Sequence, residues 1–173
     1  MAMAIATTPG APVVSLAEAK ALLRLDGDSE DALIASQIRT AMGLCEAFTG
    51  QWLIVRDGRQ PLAADMVWQR ISVAPVQAVL GVSTPGGGFA DWEADISADG
   101  TGWVRCRVPP PPGAQVQFSA GLGADWNAVP EPLRAGIIRL VSHFYTHRDA
   151  ADAGPPPAAV AALWRPWRRL RLA

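Results

Sequence analysis

Few residues in this 173-residue chain are of types that do chemistry, and their spacing limits what they are for. His143 and His147 stand four apart, as zinc-binding pairs on a helix do. A zinc-protease helix also needs a glutamate directly after the first histidine, and position 144 is Phe. Asp149 and Asp152 are near, but in a loop, and no third ligand has convincing spacing. The two histidines therefore read as surface or interface residues beside Tyr145 and Arg148, with no metal expected. Gly86, Gly87 and Gly88 lack the GK[ST] and following helix of a phosphate loop, so they read as a hairpin tip. The carboxylates between Asp26 and Asp31 are better explained by helix capping than by general acid–base work. Cys45 falls in a helical run and Cys106 in a strand-like one. Both read as small buried hydrophobes in a reducing compartment, with no support for a disulfide between them. No serine elbow or Cys–His pair marks a nucleophile. The sequence nominates no catalytic, cofactor-binding or metal-binding residue, and neither a cofactor nor an enzymatic activity is expected.

The elements around these residues are more informative. Ser15 and Glu18 form a capping box, and Leu16, Ala19, Lys20 and Leu23 follow at helical spacing until Asp26-Gly27 stops the helix. Asp28 or Ser29 is expected to cap a second helix, with Glu30 and Asp31 in its first turn, where the macrodipole favours negative charge. Ile34, Ile38, Ala41, Cys45 and Phe48 form a narrow apolar seam suited to another helix, and Gly50 ends it. Far along the chain, Pro130 and Pro132 sit around a helix start. Leu133, Ile137, Leu140 and Phe144 then make a seam of the same type, expected to pack on the first.

Between the helices the period changes to two. Runs at 52–55, 67–73, 76–82, 92–96, 103–108 and 115–120 read as strands, and Asp99-Gly100 marks a hairpin. The expected fold is α+β: a helical bundle of long N-terminal and C-terminal helices, an inserted antiparallel β region and a C-terminal arm. The boundaries are a disordered or extended N-terminus (1–12), a helical hairpin (13–51), the β region (52–123), a long helix packing on the hairpin (129–149), and a Pro linker with an Arg/Trp arm (150–173). Seven tryptophans are many for this length, and pattern alone does not divide them between core and interface.

A chain this long buries ~70% of its extended surface and needs neither disulfide nor metal to fold. The N-terminus lacks a basic signal-peptide region, and no stretch reaches the ~18 apolar residues of a membrane span. Net charge is −1, but its distribution is uneven. The last eleven residues carry four Arg, two Trp and no acid, so without those charges the remainder stands at −5. Arg and Trp are enriched in interface hot spots, which favours an arm that docks on another protein. A nucleic-acid contact suits the same residues, and so does a terminal helix folded back on its own core.

Three blocks resemble one family. Residues 13–53 carry the VSLAEAKALLR opening, an acidic turn, EDALI and a closing EAFTG. Val129-Pro130 with Leu133, Ile137, Leu140, Val141, His143-Phe144-Tyr145 and His147-Arg148 forms the second. Pro157 with Val160, Leu163, Pro166, Trp167 and Arg168 forms the third. Together they resemble the head-tail connector (adaptor, or head completion) family of tailed bacteriophages and phage-like gene transfer agents.

That resemblance implies a structural adaptor of a virion or phage-like particle, placed in its neck and assembled in the bacterial cytoplasm. A ring of identical subunits, twelve by the portal's symmetry, would join the DNA-filled head to the tail and extend the DNA channel. Implied partners are the portal protein, a tail or stopper protein, other copies of itself, and DNA passing without sequence readout; no membrane is involved. Trp164, Arg165, Trp167, Arg168, Arg169 and Leu170 are the expected portal-binding arm. Removing everything after Asp152 would then leave a folded domain. The alternative is a nucleic-acid-binding DNA-packaging factor that grips phosphates with the basic aromatic tail.

Overall fold

The computed structural model describes residues 3–7, 14–147 and 155–169. The chain forms two compact units: residues 11–53 with 125–173 make one, and residues 1–10 with 54–124 make the other. The first is helical and is built from two segments far apart in sequence. The second is a β unit inserted between them. The class is mixed α+β.

In the helical unit, α1 (Leu16–Leu23) begins at Ser15, whose hydroxyl accepts from the Glu18 amide while the Glu18 carboxylate accepts from the Ser15 amide. It ends earlier than expected: Arg24 turns the chain in the left-handed region at φ 56°, before Asp26-Gly27 is reached. The cap of α2 (Asp31–Thr49) also differs from expectation. Glu30 stands at its N-cap, and no side chain caps the helix. The acidic residues serve the lysine of α1 instead, Lys20 Nζ lying 3.0 Å from Asp28 and 2.8 Å from Asp31. Gly50 ends α2 in the left-handed conformation, its amide bonded to the Glu46 carbonyl. Pro130 and Pro132 open α3 (Glu131–Thr146), where a missing N–H is harmless. The last helix, α4 (Ala158–Trp164), continues into a 3-10 turn, Arg165–Trp167. Among the described helices, only α2 and α3 are long.

α2 packs on α3. Ile34, Ile38, Ala41, Cys45, Leu133, Ile137 and Leu140 are buried, while Phe48 and Phe144 at the ends of the seams are half-buried. At the open end Tyr145 donates its hydroxyl proton to the Glu30 carboxylate. No described helix is long and apolar enough to cross a membrane.

The β unit holds β1 (Ile5–Ala6), β2 (Arg56–Pro61), β3 (Gln69–Arg70), β4 (Val76–Thr84), β5 (Gly87–Phe89), β6 (Trp92–Ile96), β7 (Gly102–Cys106) and β8 (Gln115–Ala120). They form two antiparallel sheets, ordered β1-β2-β8-β4-β5 and β3-β7-β6. Part of the N-terminus is thus an edge strand, Ile5 pairing with Arg59 and Ala6 with Gly58. The glycine run closes the β4–β5 hairpin, and Asp99 shapes the β6–β7 turn by accepting from the Thr101 amide and hydroxyl. Val82, Val116, Phe118 and Ala120 of one sheet are buried, as are Val104 and Cys106 of the other.

Two strand expectations shrink. Within 52–55, Ile54 makes only an isolated bridge to Gly123. The run 67–73 is a strand only at Gln69–Arg70, with the Ile71 amide adding a bond to the Gly102 carbonyl, and the buried side chain of Gln60 bonds its backbone in place of a further strand. Its amide nitrogen donates to the Arg70 carbonyl at 2.9 Å, and its oxygen accepts from the Ser72 amide at 2.8 Å. At the end of β8, Gly121 has φ 150°, and a Cβ there would lie 2.4 Å from the Val55 nitrogen. Only glycine lets the backbone approach so closely.

Candidate functional site

The carboxyl-terminal segment, where arginine and tryptophan are concentrated, is seated on the helical unit rather than extended from it. Pro157 is the N-cap of α4, a position that needs no amide proton. Val160 and Trp164, one helical turn apart, face inward, and α4 packs against α3 and α2. Trp164 is 0% exposed. Its Nε1–H donates to the Leu133 carbonyl at 3.3 Å, and its ring is tilted against Phe48 with centroids 5.8 Å apart. The seat exists because residue 136 is glycine: a Cβ there would come within 2.1 Å of Trp164 Nε1.

Beyond the tryptophan the segment stays attached through the backbone. Gln51 donates its side-chain amide to the Trp167 carbonyl, and the Arg169 amide donates to the Thr49 carbonyl at 2.9 Å. The Arg168 guanidinium lies 5.7 Å from the centroid of the Phe48 ring. What remains for contact with another molecule is the outer rim. Arg165, Pro166 and Arg168 are exposed, and Trp167 and Arg169 are half-buried. Leu170 lies outside the described residues. Trp164, expected in the arm, instead supplies the helical core, since an indole with no exposed surface cannot anchor on another protein. The residue that sequence reasoning missed is Gly136. A glycine inside an otherwise good helix costs about 1 kcal/mol, and that cost was the available signal of a packing role.

The other candidates are placed as follows. The His143 and His147 rings lie 4.3 Å apart, and His147 Nδ1 sits 3.0 Å from the His143 carbonyl. Asp149 and Asp152 lie outside the described residues, among which no group of three His, Cys, Asp or Glu is placed to hold a metal. Both cysteines are free and buried, and burial pushes both thiols up, with Glu46 adding to the effect at Cys45 and Asp65 at Cys106. A thiol held protonated in this way is a packing group.

Comparison with known proteins agrees with this helical core and inserted β unit. Residues 13–84 match the family model of the Phage gp6-like head-tail connector protein. A chain in the neck of an empty GTA particle, computed with C6 symmetry, is 27% identical, with 99% of this chain and 97% of that chain covered and a TM-score of 0.79. Chains from the virion of the native gene transfer agent (GTA) particle and from its neck computed with C12 symmetry match at the same identity and coverage, each with a TM-score of 0.73. A comparison with curated protein sequences finds no significant match. The family match over the first helices and strands, joined to a likeness that runs nearly the whole length of the neck chains, supports reading this protein as a head-tail connector.

Proposed function

We propose that this protein is the adaptor ring in the neck of a phage-like particle: twelve copies beneath the portal, joining the DNA-filled head to the tail and extending the DNA channel. The single observation that carries this reading is the near-complete structural likeness to chains of a neck with twelve-fold or six-fold symmetry. The role is one of binding, not catalysis, and assembly takes place in the bacterial cytoplasm. DNA passes without sequence readout.

Portal attachment falls to the rim of the seated carboxyl-terminal segment. Arg165 and Arg168 project there with the exposed part of Trp167, a combination that pairs with carboxylates around an apolar patch. Because the segment is already ordered, less entropy is lost on docking than for a free arm. A tail or stopper protein binds the opposite end of the ring. The test is negative-stain microscopy of the protein mixed with the portal encoded beside it. Twelve-fold rings capping the portal are expected, and Arg165→Glu with Arg168→Glu should prevent them while leaving the melting temperature unchanged. Failure of the unaltered protein to cap the portal sinks the adaptor reading.

A further inference from the structure

The three-stranded sheet of the β unit turns Gly102, Val104 and Cys106 inward and the alternate residues outward. Its outer face carries Trp103 and Arg105 on β7, paired in register with Asp95 and Glu93 on β6, and Trp68 immediately before β3. Half of this face is satisfied internally. Arg105 lies 5.0 Å from the centroid of the Trp68 ring and is ion-paired with Glu93, which Arg107 also approaches at 3.7 Å.

The other half is open. Trp68 and Trp103 wall a cleft of about 420 Å³ whose third lining residue is Asp95. The exposed Asp95 carboxylate makes no hydrogen bond or ion pair among the described residues. Next to the cleft, Met66, Val67 and Trp68 are three consecutive apolar residues with 53%, 61% and 41% of their surface exposed. A contiguous apolar patch of this kind beside an unsatisfied charge marks a contact surface.

Two indoles around a bare carboxylate select a flat, weakly hydrated cation, which among side chains is guanidinium. This chain carries fourteen arginines and one lysine. Arg24, Arg39 and Arg139 of its helical unit are exposed, and their guanidinium groups make no hydrogen bond or ion pair among the described residues. One molecule therefore holds both the socket and the matching cations, on different units. A closed ring of identical subunits joins unlike faces in that manner. We infer that the Trp68–Asp95–Trp103 cleft receives an arginine side chain from the helical unit of an adjacent copy of this chain. This inference rests on the ring proposed above. Met66 and Val67 exclude water around the pair, so the interaction is less screened than a bare surface ion pair.

The test places a photoreactive benzophenone amino acid at position 67 of the full chain and assembles it into particles. Illumination should yield a product of twice the chain mass, with the joined peptide containing Arg24, Arg39 or Arg139. Asp95→Arg should lower that product at least tenfold, and Asp95→Glu should keep it; the position is exposed, so both variants fold. Absence of the protein from the particles before illumination overturns the ring reading itself. Incorporation with cross-linking to a different protein, with no cross-link, or with no response to Asp95→Arg overturns the cleft assignment alone.

Discussion

Trp164 of the helical unit and Trp68 of the β unit are the same residue type under opposite conditions. Trp164 is enclosed on all sides, with its one polar group bonded to a carbonyl and its space provided by Gly136. Trp68 stands on a sheet face, half covered by Arg105 and otherwise open. The helical unit thus uses its aromatic surface to hold together two distant parts of one chain. The β unit buries Phe118 in its sheet but leaves the Trp68 ring partly open, on the face assigned above to another copy. Composition does not distinguish the two uses; what faces each ring does.

The largest effect should come from emptying the enclosed site. Trp164→Ala should cost about 3–5 kcal/mol in chemical denaturation of the free protein, because the cavity cannot close around a rigid helix pair. Deleting residues after Asp152 removes the same ring and should destabilise the helical unit at least as much. A truncated protein of undiminished stability would return the segment to the status of a free arm. Next in size is Gly136→Ala. On helix propensity alone this change is favourable by about 1 kcal/mol, yet it should cost ~1–3 kcal/mol by driving a methyl group into the Trp164 ring. A stabilised variant would mean that the ring has other room to occupy.

The open site should behave in the reverse manner. Trp68→Ala should change the stability of the free protein by no more than ~0.5 kcal/mol while disturbing particle assembly. Loss of stability on the scale of Trp164→Ala would mean that the β unit uses its ring internally, and the contrast would dissolve.

The smallest expected effect concerns the tether between α1 and α2. Hydrogen bonds to Asp31 and Asp28 raise the Lys20 pKa above its ordinary 10.5. The folded state therefore binds this proton more tightly than the unfolded one. The tether's contribution is fully present below pH 10.5 and fades as pH rises through the higher folded value. The stability difference between the unaltered protein and Lys20→Met should be small and should shrink in that alkaline range. A difference independent of pH would show that the lysine acts through its aliphatic stem.

Local signals were legible in the sequence because they are complete within a few residues. Ser15 with Glu18, Gly50, Pro130 with Pro132, and Asp99-Gly100 each carry their own geometry. The spacing of the two seams likewise indicates which helix faces turn inward. Where the reading failed, a distant residue intervened. Gln60 replaced ladder bonds that the 67–73 pattern implied, and Lys20 drew away the carboxylates that were free to cap α2. The carboxyl-terminal segment failed for the same reason on a larger scale. An arm for a partner and a helix for one's own core require the same Trp, Arg and Pro, and the deciding residue was a glycine on another helix. The cleft at Asp95 was equally hidden, since its walls Trp68 and Trp103 lie far apart in sequence.

The socket at Gly136 also bears on how such a chain can change over generations. A glycine is the one residue that any mutation to another amino acid enlarges. While Trp164 is present, selection removes each of those enlargements at once. Should the tryptophan be lost first, position 136 is free to drift to alanine, leucine or lysine, all better helix formers. From there the tryptophan cannot return, because its place is taken. The pair works as a ratchet: loss of the ring frees position 136 to enlarge, and an enlarged position 136 bars the ring's return.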